Sequence, residues 1–186
     1  MTKNQTRIVV TSFNETGYAK YGKRMISTFR EFWPSDIPLI VVSEDSIPVE
    51  TDDRVRFHDY AEIAPDGVHF KRKFGNFSEA NGNMISFNET ENGFVADKTY
   101  DYRFDAIRFS HKVFSINGAN QRYDCDELIW IDGDTLTHTQ IDQAFFDSVS
   151  PGTGHLSYLG RENNYSECGF MVFNRRIITQ IWKIIN

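Results

Sequence analysis

The first forty residues alternate between two hydrophobic periods, and each change of period marks a new element. Arg7–Val10 is a short β-branched run that predicts an opening strand, and Thr11-Ser12-Phe13-Asn14 after it suits a turn at that strand's carboxyl end. Tyr18, Tyr21, Met25, Phe29 and Phe32 then recur every three or four residues, which predicts a helix from Tyr18 to Trp33 that Pro34 stops. Ile37–Val42 is almost continuously aliphatic, as in a strand covered on both faces. Strand, helix, strand in this order implies a parallel unit.

Residues 48–98 carry a short strand candidate at Val55–Phe57 and otherwise predict an irregular segment rich in Gly, Asn, Lys and Phe. Its Phe70, Phe74, Phe77 and Phe87 are expected as core or lid anchors, with Lys71, Arg72 and Lys73 facing solvent or closing over a ligand. A helical stripe of Tyr102, Ala106, Phe109, Val113 and Ile116 follows between Thr99 and Ile116. Glu127–Ile131 is a hydrophobic strand that runs directly into Asp132-Gly133-Asp134. Beyond it, Gln140–Val149 reads as helix, Gly169–Phe173 as a buried strand and Arg175–Ile185 as an amphipathic helix carrying Trp182. The pattern predicts an α/β domain whose central sheet is mainly parallel.

The chain has 186 residues, 40% of them hydrophobic and 15% aromatic, enough for one sizeable core; with no repeat or low-complexity linker, a single domain over 1–186 is expected. A formal charge of −6 and a pI near 5.3 argue against broad nucleic-acid binding, which needs a basic surface. The start is polar and the apolar runs are far too short to cross a bilayer, so no membrane span is expected. Cys125 and Cys168 form neither a close pair nor a zinc-type cluster, which suggests a reducing cytoplasm. Asn-x-Ser/Thr triplets begin at Asn4, Asn14, Asn76, Asn88 and Asn164, but without a secretion signal they carry no weight.

The candidate chemistry gathers at Asp132-Gly133-Asp134. Two carboxylates one residue apart, just past a buried strand, can share a ligand if the turn bends, and Gly133 is expected to allow that bend. A hard cation such as Mn²⁺ or Mg²⁺ prefers carboxylate and phosphate oxygens, and open α/β sheets bind ligands outside the carboxyl ends of their strands. Taken alone, Asp-Gly-Asp is better explained as an ordinary turn, and it is the surrounding sequence that reverses the preference. On the preceding helix Asp105, Arg108 and Lys112 share one face, where the cations could balance phosphate charge or where Asp105 and Arg108 could simply pair. Glu44 and Asp45, after the second strand, are candidates for a base or ribose contact or for an acidic turn. Glu167 is a candidate general base for an acceptor hydroxyl, or a surface acid. His138 and His155 read as surface histidines.

Together these segments resemble the GT-A glycosyltransferases. Leu128-Ile129-Trp130-Ile131-Asp132-Gly133-Asp134-Thr135 is similar to that family's hydrophobic strand and Asp-x-Asp motif. Thr11, Ser12, Phe13 and Asn14 fall where the family has its nucleotide-contacting turn, and the helix with Arg103, Asp105, Arg108 and Lys112 resembles its donor-contacting helix. Glu167-Cys168-Gly169-Phe170-Met171-Val172-Phe173-Asn174 is similar to the segment behind the acceptor pocket.

The resemblance implies a Rossmann-like GT-A fold and transfer of a sugar from a UDP- or GDP-sugar to a glycan, protein or small-molecule acceptor. It places Mn²⁺ or Mg²⁺ at Asp132 and Asp134, with Asp132 reaching metal or ribose. Some members add a histidine ligand beyond the last strand, and no histidine follows His155 here, so either the metal site is completed differently or the chain is a shortened member, the second being expected. Two other classes compete. Haloacid-dehalogenase phosphatases also end a strand in Asp-x-Asp, but their motif sits near the start of the chain and has one more residue before Thr or Val. A GT-A-like domain that binds nucleotide-sugar without turnover is the second alternative.

Overall fold

The structure is a computed structural model that describes residues 5–45, 51–90, 93–163 and 166–176, with the backbone alone for 86–90 and 93–98. The helix predicted over Arg175–Ile185 therefore lies largely outside the described residues.

Strand β1 (Arg7–Phe13) is followed by one helical rod built from three pieces: α1 (Glu15–Gly17), a π-helical turn (Tyr18–Gly22) and α2 (Lys23–Phe32). Asn14 caps it, its Oδ1 accepting from the Gly17 N–H at 2.7 Å. Strands β2 (Leu39–Ser43) and β3 (Val55–Asp59) come next. They are followed by α3 (Tyr60–Ile63) and α4 (Pro65–Phe74), then by the antiparallel hairpin β4 (Asn83–Thr90) and β5 (Gly93–Tyr100). Helix α5 (Ala106–Arg122), β6 (Glu127–Ile131), α6 (Gln143–Val149), β7 (Leu156–Leu159) and β8 (Glu167–Asn174) complete the described chain.

Six strands form one sheet in the order β3-β2-β1-β6-β8-β7. The pairs β3/β2, β2/β1 and β1/β6 are parallel, while β8 runs antiparallel to both its neighbours, so the sheet is mixed and mainly parallel. This is the α/β, Rossmann-like class that the sequence pattern predicts.

Both faces of the sheet are covered, which explains why β1, β2 and β6 read as continuous hydrophobic runs instead of alternating ones. On one face Val9, Leu39, Val41, Ile129 and Ile131 pack with Met25, Phe29 and Trp33 of the first helix and Phe146 of α6. On the other, Val10, Ile40, Val42, Leu128 and Trp130 pack with Tyr60 and Ile63 of α3 and Ile116 and Ala119 of α5. Each fully buried aliphatic side chain stabilises the fold by about 1.5–3 kcal/mol, so this double-sided core outweighs any single surface contact. A buried ion pair ties β1 to β6: Arg7 Nε lies 2.7 Å from Glu127 Oε2 and the guanidinium stacks 4.3 Å over Phe146.

Two expectations require correction. The segment read as irregular contains α3, α4 and the hairpin. Asp59 caps α3 and Pro65 starts α4, and Phe70 joins α4 to α5 through Phe114, with ring centroids 5.6 Å apart. Helix α5 also begins later than predicted, because β5 extends to Tyr100 and Asp105 caps the helix by accepting from the Arg108 N–H at 2.8 Å. The apolar stripe proposed for it is largely exposed: Tyr102, Phe109 and Val113 face outward, while Ser110, Ser115, Asn117, Gly118 and Asn120 are buried with Ile116 and Ala119. The reason is close approach. A Cβ on Gly118 would sit 2.0 Å from the Ile63 carbonyl oxygen, so only small residues fit between α5 and α3. Among the described residues no helix is long and apolar enough to cross a membrane.

Candidate nucleotide-diphosphate crevice

From β1 the chain builds outward through β2 to β3, then returns to lay β6 on the other side of β1. Where strand order reverses in this way, the loops at the carboxyl ends diverge and leave a crevice. Here the crevice holds about 510 Å³ and is lined by Ser12 and Phe13 of β1, which runs on to Phe13 instead of turning at Thr11, by Asn14, Tyr21 and Glu44, by the first half of α5 and by the end of β6.

Of the residues singled out in the sequence, Ser12, Phe13, Asn14, Glu44, Arg108, Lys112, Asp132 and Asp134 all line it. Thr11 lies beneath, wholly buried, its hydroxyl without a partner. Arg103 sits outside on an exposed turn, ion-paired with Asp101, and Glu167 is not part of the lining. His138 and His155 are exposed and are not part of the lining.

The Asp-x-Asp turn is held from several sides. Asp132 Oδ1 accepts from Trp130 Nε1 at 2.7 Å and is ion-paired with Lys112 Nζ at 2.8 Å, and the Asp132 N–H donates to the Gly169 carbonyl at 2.8 Å. Lys112 also donates to the Cys168 carbonyl at 3.0 Å and lies 5.5 Å from the centre of the Trp130 ring. Asp134 is exposed at the mouth. The Thr135 N–H closes the turn onto the Asp132 carbonyl at 3.0 Å.

The chain turns at Gly133 without a left-handed conformation there. Its role is close approach: a Cβ there would fall 2.9 Å from the Phe13 ring and 3.0 Å from the Ser12 carbonyl. Glycine thus lets the turn after β6 press against the end of β1.

Opposite the aspartates, Ser12 donates to Glu44 Oε1 at 3.1 Å. The other oxygen of Glu44 lies 3.0 Å from His111 Nδ1, an electrostatic contact that is not aligned as a hydrogen bond. His111 stacks on Tyr60 with centroids 4.9 Å apart, fixing its ring. Burial pushes the Tyr21 phenol above its ordinary range, and the negative charges of Asp134 and then Glu44 push it further. Arg108 lines the opposite wall, and its guanidinium enters no ion pair among the described residues.

Glu167 is already committed: Oε1 accepts from the Gly169 N–H at 2.8 Å and Oε2 pairs with Arg161. His111 and Tyr21 were missed as site residues. His111 is three residues beyond Arg108 on the same helix, a spacing that marks a shared face. Tyr21 was assigned to the core stripe; the π turn that carries it shifts the helical phase, a displacement that periodicity does not reveal.

Among the described residues no group of three or more His, Cys, Asp or Glu could hold a metal ion. Two carboxylates one residue apart nevertheless fit a hard divalent cation whose other ligands are phosphate oxygens and water, the usual environment of Mg²⁺.

No family model matches the chain, and no curated protein does. Solved structures with some likeness to it include three glycosyltransferases. The glycosyltransferase GlyE of Streptococcus pneumoniae TIGR4 is 12% identical with a TM-score of 0.49, covering 96% of this chain and 36% of that one. The bifunctional glycosyltransferase WbbM in its apo form is 13% identical with a TM-score of 0.48, covering 97% and 33%. The galactosyltransferase LgtC, in complex with donor and acceptor sugar analogs, is 12% identical with a TM-score of 0.47, covering 95% and 61%. The chain thus spans about a third of the length of GlyE and WbbM. A likeness this slight leaves function to the chemistry of the crevice.

Proposed function

We propose that this chain is a nucleotide-sugar-dependent glycosyltransferase domain of GT-A type. The observation that carries the reading is the pairing of Asp132 and Asp134 with Lys112 and Arg108 across one crevice at the reversal of strand order. Carboxylates that suit a cation and basic groups that suit phosphate oxygens make one site for a diphosphate. Glu44, held by Ser12 and flanked by His111, is an acceptor for the N–H or hydroxyl donors of a base or ribose.

In this reading Asp134 and Asp132 hold Mn²⁺ or Mg²⁺, which when bound supplies charge neutralisation at the diphosphate. Arg108 faces the negative charge that grows on the departing diphosphate, and its guanidinium is preorganised for two phosphate oxygens. Ser12, Asn14 and Tyr21 wall the crevice, and Glu44 orients the nucleoside. The acceptor side is the rim beside Gly169 and Glu167.

A non-catalytic binding domain is the second reading, and one observation favours it: Glu167, the candidate base, is occupied by Arg161 and the Gly169 N–H.

The test is a thermal-shift panel of UDP- and GDP-sugars with and without Mn²⁺, followed by donor hydrolysis and transfer assays. One nucleotide-sugar should raise the melting temperature with Mn²⁺ present, because a ligand that binds only the native state stabilises it. Asp134→Asn should abolish that rise and leave the ligand-free melting temperature unchanged. A panel in which no nucleotide shifts melting overturns the reading. Binding without hydrolysis or transfer supports the second.

A further inference from the structure

Lys112 is placed unlike an ordinary phosphate-binding lysine. Its ammonium does not reach into open space but lies against the Asp-x-Asp turn, ion-paired with Asp132 Oδ1 at 2.8 Å and donating to the Cys168 carbonyl at 3.0 Å over the Trp130 indole. Trp130 Nε1 donates a hydrogen bond to the same Oδ1 at 2.7 Å. Oδ2 is hemmed differently: a Cβ on Gly169 would lie 3.1 Å from it. One carboxylate oxygen is therefore held by an indole N–H and an ammonium charge, so positive charge of the kind a metal would bring is already beside it.

Resting on the nucleotide-diphosphate reading above, we propose that Lys112 is an internal cation that holds Asp132 against divalent metal until a diphosphate draws the ammonium away. Metal and diphosphate then bind as a coupled pair instead of in sequence.

Three features support this. A lysine ammonium and a divalent cation compete for the same carboxylate, since adding a second positive charge beside the first is repulsive at such short range. The described residues offer no cluster of three or more His, Cys, Asp or Glu to hold a metal without substrate oxygens. The lysine stem is flexible and lies in the crevice lining, so its head can swing from the carboxylate to a phosphate without moving the helix. Arg108, one turn earlier and outside any such pair, has no equivalent role.

The test measures Mn²⁺ binding by electron paramagnetic resonance in the wild type, Lys112→Met and Lys112→Arg, each without and with UDP. Circular dichroism establishes that each variant folds. Without UDP, Lys112→Met should bind Mn²⁺ about tenfold more tightly than wild type, an ordinary coupling between neighbouring sites. UDP should tighten Mn²⁺ strongly in wild type and far less in Lys112→Met, while Lys112→Arg, which keeps the charge, should follow the wild type. Equal or weaker UDP-free Mn²⁺ binding in folded Lys112→Met overturns the proposal, and leaves the nucleotide reading intact if UDP and Mn²⁺ still bind together. Absence of Mn²⁺ binding in all three proteins, with and without UDP, overturns both.

Discussion

Gly133 shows how one missing side chain sets the width of the crevice. A methyl group there would meet the Phe13 ring and the Ser12 carbonyl, so Gly133→Ala must push the Asp-x-Asp turn away from β1. A displacement near an ångström in a positioned site weakens its function by about ten- to a hundredfold, so nucleotide binding measured by calorimetry should fall by that order while the fold persists. The two cysteines separate just as cleanly. Cys125 is buried and desolvation holds its thiol up at about 12, whereas Cys168 is exposed. An alkylating reagent at neutral pH should modify one thiol per native chain and two after denaturation. At this scale the acidic pair and the basic residues facing it were legible, because ligand type and strand-end position are written locally. The tight fit of Gly133 and the capture of Asp132 by Lys112 were not, since both depend on segments brought together from distant parts of the chain.

Helix α5 carries the cationic wall of the crevice and is positioned by its smallest residues. Gly118→Ala would place a methyl against the Ile63 carbonyl, backbone that cannot turn aside, so the helix should lose its seat against α3. Overpacking of this kind costs about 1–3 kcal/mol even though alanine is the better helix former, and urea unfolding should show it. The link between β1 and β6 gives an opposite test. Arg7 and Glu127 are both nearly inaccessible, with side chains 6% and 4% exposed, so Glu127→Gln leaves a buried guanidinium uncompensated. The expected loss is about 3–5 kcal/mol, and replacing both partners with methionine should recover most of it. Strands β1, β2 and β6 were readable because burial on both faces writes unbroken aliphatic runs. The buried face of α5 was not, because serine, asparagine and glycine fill a contact too close for large side chains. The hairpin β4/β5 was unreadable for a related reason, as its two-strand sheet lies apart from the main one and carries no long aliphatic run.

Across the whole molecule, stability should depend on pH through His58, which joins the edge strand β3 to the end of α5 by its contact with Tyr123. Burial lowers its pKa first, and the nearby Arg122 lowers it further, so the folded protein resists protonation more than the unfolded chain does. The unfolded state therefore binds more protons below its own value of about 6.5, and stability that is complete above that pH declines as the medium is acidified through it. Melting temperatures from pH 7.5 to 5.5, a range chosen to span about one unit on either side of that value, should fall in wild type and fall less in His58→Gln.

The reversed strand β8 has an architectural consequence. Because β7 ends at Leu159 and β8 begins at Glu167, both at the crevice edge, a loop grafted between these strand ends is anchored on either side by ladder pairing. Such a loop can be lengthened, shortened or exchanged without disturbing the parallel strands that carry the aspartates. Grafting studies should begin there, since modularity is built into the one strand that runs against the grain.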